Sequence, residues 1–163
     1  MIQPEPVNEF KKGLTALLEG HPRSAVAYLR NAIDQDGANP FYVSYYGLAL
    51  ARTGLDWSRA EKFCLAALRV TRTQAHLYLN LAEVYRRAGK TEYAWSTLSN
   101  GLQFTRCDRR LVRALESLGI RRPPVLSFLD RRHFLNRQLG KLRHRLRGQA
   151  HIPVPEALRI ADT

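Results

Sequence analysis

Cysteine is scarce in this chain: Cys64 and Cys107 are the only two among 163 residues. Cys64 falls at an apolar position of a helical pattern and Cys107 between two predicted helices. Two reduced thiols are therefore expected, one of them a core filler, rather than a disulfide or a redox pair. Long hydrophobic runs are missing as well, since nothing approaches the ~20 apolar residues of a membrane span. The opening MIQPEPVNEF has neither the basic nor the apolar region of a secretory signal. The expected compartment is the cytoplasm. The five histidines, His21, His76, His133, His144 and His151, show no HExxH or Cys/His ligand spacing, no phosphate-binding glycine motif occurs, and the acidic residues are scattered. Neither a metal, a cofactor nor a catalytic constellation is predicted, so the chain does not read as an enzyme.

Acidic residues are also few: 14 Asp and Glu stand against 26 Lys and Arg, a net charge of +12. The excess is local. Residues 1–104 carry 12 basic and 9 acidic side chains, whereas residues 105–150 carry 13 and 3. Any attraction to an acidic partner is thus expected mainly of the C-terminal part.

What the sequence does have is a periodic arrangement of small residues. From Ala75 to Phe104 run two amphipathic helices hinged at Gly89. Tyr78, Leu81, Ala82 and Tyr85 are spaced as large-x2-Leu-small-x2-Tyr, and Ala94, Leu98 and Gly101 as Ala-x3-large-x2-small. A small residue at Ala82 lets the second helix lie close, Ala94 fills the reciprocal contact, and the larger side chains fill the gaps around the crossing. One period upstream stand Gly47, Ala60 and Ala67 with Val43, Tyr46, Leu50 and Cys64; a further period gives Gly13, Ala25, Leu29 and Ala32. Gly13 to Gly47 and Ala60 to Ala94 span 34 residues. Gly47 to Ala82 and Ala25 to Ala60 span 35, which places one inserted residue between Gly54 and Ala60, where it lengthens a turn.

Over about residues 6–108 the chain resembles the tetratricopeptide repeat (TPR) family. The resemblance implies an all-α fold, a right-handed helical-hairpin solenoid of three repeats (about 6–39, 40–74 and 75–108). Helices are predicted over about 7–19, 22–36, 40–53, 57–71, 75–88 and 91–104, punctuated by glycine after a helix and proline at the next start. Asp108 to Leu118 reads as a capping helix with Leu111, Val112, Leu115 and Leu118 in one stripe, Asp108 as N-cap and Gly119 as stop. Residues 1–6 form a lead-in. Residues 121–148 form a basic extension, with Pro123 and Pro124 forcing an extended crossing, an apolar patch at Val125, Leu126, Phe128 and Leu129, and an amphipathic helix over about 130–147; residues 149–163 read as a flexible tail. The first repeat departs from the pattern. Glu9 and Lys12 replace large apolar residues, and Ala16 stands where a tyrosine is common.

Carried over residue by residue, the resemblance implies a concave groove lined by the first helix of each repeat. It would show Val7, Phe10, Leu14 and Leu17, then Phe41, Ser44, Tyr45, Leu48 and Arg52, then His76, Leu79, Asn80, Glu83 and Arg87. Positions where chaperone-tail readers of the family carry a carboxylate clamp hold Phe10, Leu14, Tyr45, His76 and Asn80, so that clamp is absent. An apolar groove is suited to an apolar peptide or a partner's amphipathic helix. The main binding candidates are Phe10, Leu14, Phe41, Tyr45, Leu48, His76, Leu79, Asn80 and Arg87. Alternatively, the chain's own Pro124 to Leu135 segment fills the groove.

Three readings follow. The first is a protein-binding adaptor or scaffold using the groove, the basic tail or both, with a protein partner that has an apolar and an acidic surface. The second is a polyanion binder, in which Arg131, Arg132, Arg137, Lys141, Arg143, Arg145 and Arg147 meet phosphates of RNA, DNA or an anionic membrane. The third, a resemblance to short TPR chaperones of bacterial secretion translocators, fits in size but not in charge. Self-association is left open.

Overall fold

In the computed structural model the described residues are 5–119. Among them the secondary structure is entirely α-helical: α1 (Pro6–Leu18), α2 (Pro22–Gln35), α3 (Pro40–Thr53), α4 (Trp57–Val70), α5 (Ala75–Arg87), α6 (Thr91–Phe104) and α7 (Arg109–Ser117). Each expected helix up to residue 118 is present, with ends within one residue of expectation. None is long and apolar enough to cross a membrane. The apolar patch at Val125 to Leu129, the helix over 130–147, the basic residues Arg131 to Arg147 and the tail 149–163 all lie outside the described residues.

Local chemistry sets the boundaries. Pro6, Pro22 and Pro40 each open a helix, where a missing N–H costs nothing because first-turn donors have no intrahelical partner. Asn39, Asp56 and Asp108 cap α3, α4 and α7 by accepting from the N–H of Phe41, Arg59 and Arg110 at 3.0, 2.9 and 2.8 Å. One residue separates Gly20 from α2 and Gly89 from α6, but two separate Gly54 from α4. The additional residue thus sits in that turn, beside a Leu55 that is 79% exposed.

The helices pair as antiparallel hairpins, α1 with α2, α3 with α4 and α5 with α6, and each first helix also packs on the preceding repeat; α7 covers α5 and α6. The small residues permit this closeness. A Cβ at Gly47 would come within 2.8 Å of both the Ala60 carbonyl oxygen and Cys64 Sγ, and one at Gly101 within 2.7 Å of Tyr78 Cγ and 2.9 Å of Leu111 Cδ1. Ala25, Ala60 and Ala94, the reciprocal small residues, are fully buried. Two apolar clusters result. One joins repeats one and two around Leu29, Tyr46 and Ala49; the other joins repeats two and three to the cap around Leu68, Leu77, Tyr78, Leu81, Leu98 and Leu111.

The polar substitutions of repeat one are accommodated at the outer edge. Glu9 is almost fully covered, receiving Lys12 Nζ at 2.7 Å and Asn31 Nδ2 at 3.2 Å. Those bonds hold its carboxyl below the usual carboxylate range. An ion pair thus occupies a site that interior repeats fill with Val43 or Tyr78. The stripe expected on α7 needs one correction: Leu111 is buried and Leu115 and Leu118 pack against the core, but Val112 is 37% exposed.

Candidate functional site

The first helices α1, α3 and α5, followed by α7 in the same register, place equivalent residues in lanes. Val7, Phe41, His76 and Arg110 are successive members of one lane, 34, 35 and 34 residues apart. In an α-helix, residues three and four apart share a face. Phe10, Leu14 and Leu17 follow Val7 on that basis, as Tyr45, Leu48 and Arg52 follow Phe41, and Leu79, Glu83 and Arg87 follow His76.

At the N-terminal half of this face the groups are aromatic. The Phe10 ring lies 4.8 Å from that of Tyr42 and meets Tyr45 edge-on at 5.5 Å, so repeats one and two share one aromatic cluster. Phe10, Leu14, Phe41, Tyr45 and Leu79 are all partly exposed. They offer apolar surface without being loose, because Phe10 and Tyr45 rest on one apolar cluster and Phe41 and Leu79 on the other.

Four of the expected groove residues lie deeper than the repeat register suggested. Leu48 is only 6% exposed and belongs to the core; Asn80 is 5% exposed and donates from Nδ2 to Ser44 Oγ at 3.1 Å. Ser44, fully buried, and Leu17, which belongs to the core around Leu29, are likewise interior. Arg52 is also tied down: its Nη1 donates to the Leu17 carbonyl at 2.8 Å, at the end of α1 where carbonyls lack helical partners. Arg87 is exposed but held by Glu83, whose carboxylate accepts from Arg87 Nε at 2.7 Å and from Arg86 at 2.6 and 2.9 Å. Burial pushes the Glu83 carboxyl up, but the two arginines outweigh it and the group ends below its ordinary range.

The C-terminal end of the face is built differently. Arg110 lays Nε and Nη2 on the two oxygens of Asp108 at 3.0 and 2.8 Å, and its Nη1 is 2.9 Å from Nε2 and 3.3 Å from Nδ1 of His76. Two such similar distances set Nη1 against the ring face rather than in line with one nitrogen lone pair. Burial first, and the Arg110 charge second, lower the His76 pKa, with Asp108 opposing, so the ring is neutral at pH 7. The same Arg110 charge reaches Tyr45, whose phenol is nonetheless raised by burial. His76 and Arg110, from α5 and α7, thus form one polar cluster with Asp108. Arg110 is absent from the residues expected from sequence to line the groove. One more period counted from His76 would have found it. Among the described residues no group of three His, Cys, Asp or Glu side chains could hold a metal ion.

No family model matches the sequence, and no curated protein matches it either. Among solved structures, the first TPR of Spaghetti (RPAP3), bound to the HSP90 peptide SRMEEVD, superposes with a TM-score of 0.59, covering 73% of this chain and 96% of that one at 18% identity. The fold is a tetratricopeptide repeat fold. In TPR terms α1 to α6 are three helical hairpins and α7 is the solvating cap, in the register of a fourth first helix. The TPR likeness is one of architecture.

Proposed function

We propose that this TPR chain is a protein-interaction module whose concave face, built on Phe10, Phe41, Tyr45, His76 and Leu79, receives an apolar peptide or amphipathic helix of a protein partner. The observation that carries the reading is the shared cluster of Phe10 and Tyr45, partly exposed yet fixed across two repeats. Rings already held in place bury further apolar area on binding with little loss of side-chain freedom. That the similar TPR of Spaghetti holds a peptide supports an interaction role of this general kind.

The test is site-specific photocrosslinking from position 79 in extract of the source cells, with position 69 on the exposed outer face as control. A defined partner captured at 79, absent at 69 and lost with Tyr45→Glu is the expected result. Equal capture at both positions, or indifference to Tyr45→Glu, would overturn the groove assignment.

The concentration of 13 basic against 3 acidic residues in 105–150 favours a second reading. Here Arg131, Arg132, Arg137, Lys141, Arg143, Arg145 and Arg147 bind RNA, DNA or an anionic membrane while the repeats serve as scaffold. Such binding falls steeply with salt and disappears on deleting 130–150. The groove mode tolerates both. Occupation of the groove by the chain's own Pro124 to Leu135 remains the alternative within the first reading; deleting 120–163 would then increase capture at position 79.

A further inference from the structure

We propose that the C-terminal end of the concave face holds a carboxylate, an acidic side chain of the bound segment, on the guanidinium of Arg110, beside His76. The inference rests on the groove reading and names the chemistry that the groove selects beside its apolar lane.

Arginine has five N–H donors arranged around a planar fork. In Arg110 the edge formed by Nε and Nη2 is used by Asp108. Asp108 is itself anchored, since it caps α7 by accepting from the Arg110 backbone N–H at 2.8 Å. The ring of His76 supports Nη1 from one side. The second edge, between Nη1 and Nη2, keeps two parallel donors, and the side chain is 49% exposed. A guanidinium oriented in advance by one carboxylate loses little freedom in meeting another through its second edge, which is the geometry of bidentate recognition.

The neighbours favour an anion there. Tyr45 is on the same face and keeps its phenolic proton, so its hydroxyl can donate. Neutral His76 has one ring N–H to offer. Arg113, one turn beyond Arg110 on α7, is exposed and adds positive charge on the same side. A basic occupant would bring like charge to Arg110 and Arg113 at a cost. The apolar lane ends at Leu79, so the occupant is an apolar segment with an acidic residue close by. This donor set is not the clamp of chaperone-tail readers, because its cation comes from the cap.

The experiment uses the full chain and three tripeptides: Ac-Leu-Asp-Phe-NH2, its amide counterpart Ac-Leu-Asn-Phe-NH2, and Ac-Leu-Asn-Phe with a free C-terminal carboxylate. Binding is read by NMR from the Arg110 Nε–H and from the side-chain signals of Leu79 and Tyr45. The Asp peptide should bind about fivefold more tightly than the amide, the margin of one partly exposed charge-assisted pair. It should also shift Arg110, and added salt should erase the margin. Arg110→Gln should abolish the preference while Leu111 signals and the thermal midpoint report an intact cap. Arg110→Lys, which keeps charge without the fork and so leaves the cap electrostatics in place, should retain only part of it. Equal binding of the Asp and Asn peptides at Leu79 and Tyr45 would overturn the carboxylate site and leave the groove reading standing. Preference only for the free C-terminus would overturn an acidic side chain as the source, and a preference surviving Arg110→Gln with the cap intact would overturn Arg110 as its receptor. No response to any peptide at Leu79 and Tyr45 would overturn both readings.

Discussion

Asn80 donates to Ser44 Oγ at 3.1 Å, joining α5 to α3 in the interior. Both residues are buried, so neither can turn to water if the other is lost. Asn80→Ala should therefore destabilise the chain by about 1–3 kcal/mol, the usual cost of stranding a buried polar group. Ser44→Ala should cost less in the Asn80→Ala background than in the native chain, because the partner to be stranded is already gone. Urea unfolding of the four variants measures this, and additive losses would mean the bond does not couple the repeats.

Gly47 stands at a close crossing of α3 and α4, with the Ala60 carbonyl and Cys64 Sγ both 2.8 Å from where a Cβ would stand. A backbone oxygen cannot move without moving α4. Gly47→Ala should lower stability by about 1–3 kcal/mol as an overpacked site, despite the better helix propensity of alanine. Repeat three tolerates Ala82 at the equivalent position, which ties the cost to the particular neighbours rather than to the register. An unchanged urea midpoint in Gly47→Ala would contradict the crossing as described.

This contrast shows what was legible in the sequence. The recurrence of Gly13, Gly47 and Ala82 and of Ala25, Ala60 and Ala94 prescribes the hairpins, since only small residues let helices approach so closely, and the helices follow within a residue. Facing direction was legible too, because helical spacing fixes it. Depth was not. Leu48 and Asn80 have the register expected of groove residues but are buried, since exposure depends on how closely the neighbouring first helix packs. Arg110 was overlooked for a related reason. Within α7 alone it lies outside the apolar stripe, and only the packing of α7 as a fourth first helix brings it to His76. The buried Glu9 reverses a simple polarity rule, because Lys12 and Asn31 reach it from α1 and α2.

Asp108 carries the clearest pH signature. Its hydrogen bonds from the Arg110 side chain and backbone, with the Arg110 charge, hold its pKa at about 2, below the ordinary 3.8. The unfolded chain thus binds this proton first, so the contribution is present above about pH 4 and is lost as the pH falls toward about 2. Asp108→Asn keeps an N-cap acceptor but removes the titration. The fall in urea midpoint between pH 4 and 2 should be shallower in Asp108→Asn than in the native chain, the remaining slope belonging largely to Glu9 and Glu83. Identical slopes would show that the Arg110 pair does not persist in solution.

The two thiols should separate completely by reactivity. Cys64 has no exposed surface, donates from Sγ to the Ser44 carbonyl at 3.4 Å, and burial pushes its thiol up to about 12, whereas Cys107 is exposed in the turn before α7. Since the thiolate is the nucleophile, a disulfide reagent at pH 8 should label one thiol at once and the second only through the small fraction of molecules in which α3 and α4 have separated. Cys107→Ser should remove the fast label and nothing else. Because Cys64 Sγ is one wall of the Gly47 crossing, Gly47→Ala should speed the slow label in proportion to the stability it removes, provided reclosure is faster than labelling. Two fast thiols in the native chain would mean that the α3–α4 crossing is open in solution. A slow label unchanged by Gly47→Ala would mean that Cys64 is reached by a local fluctuation that leaves the crossing closed.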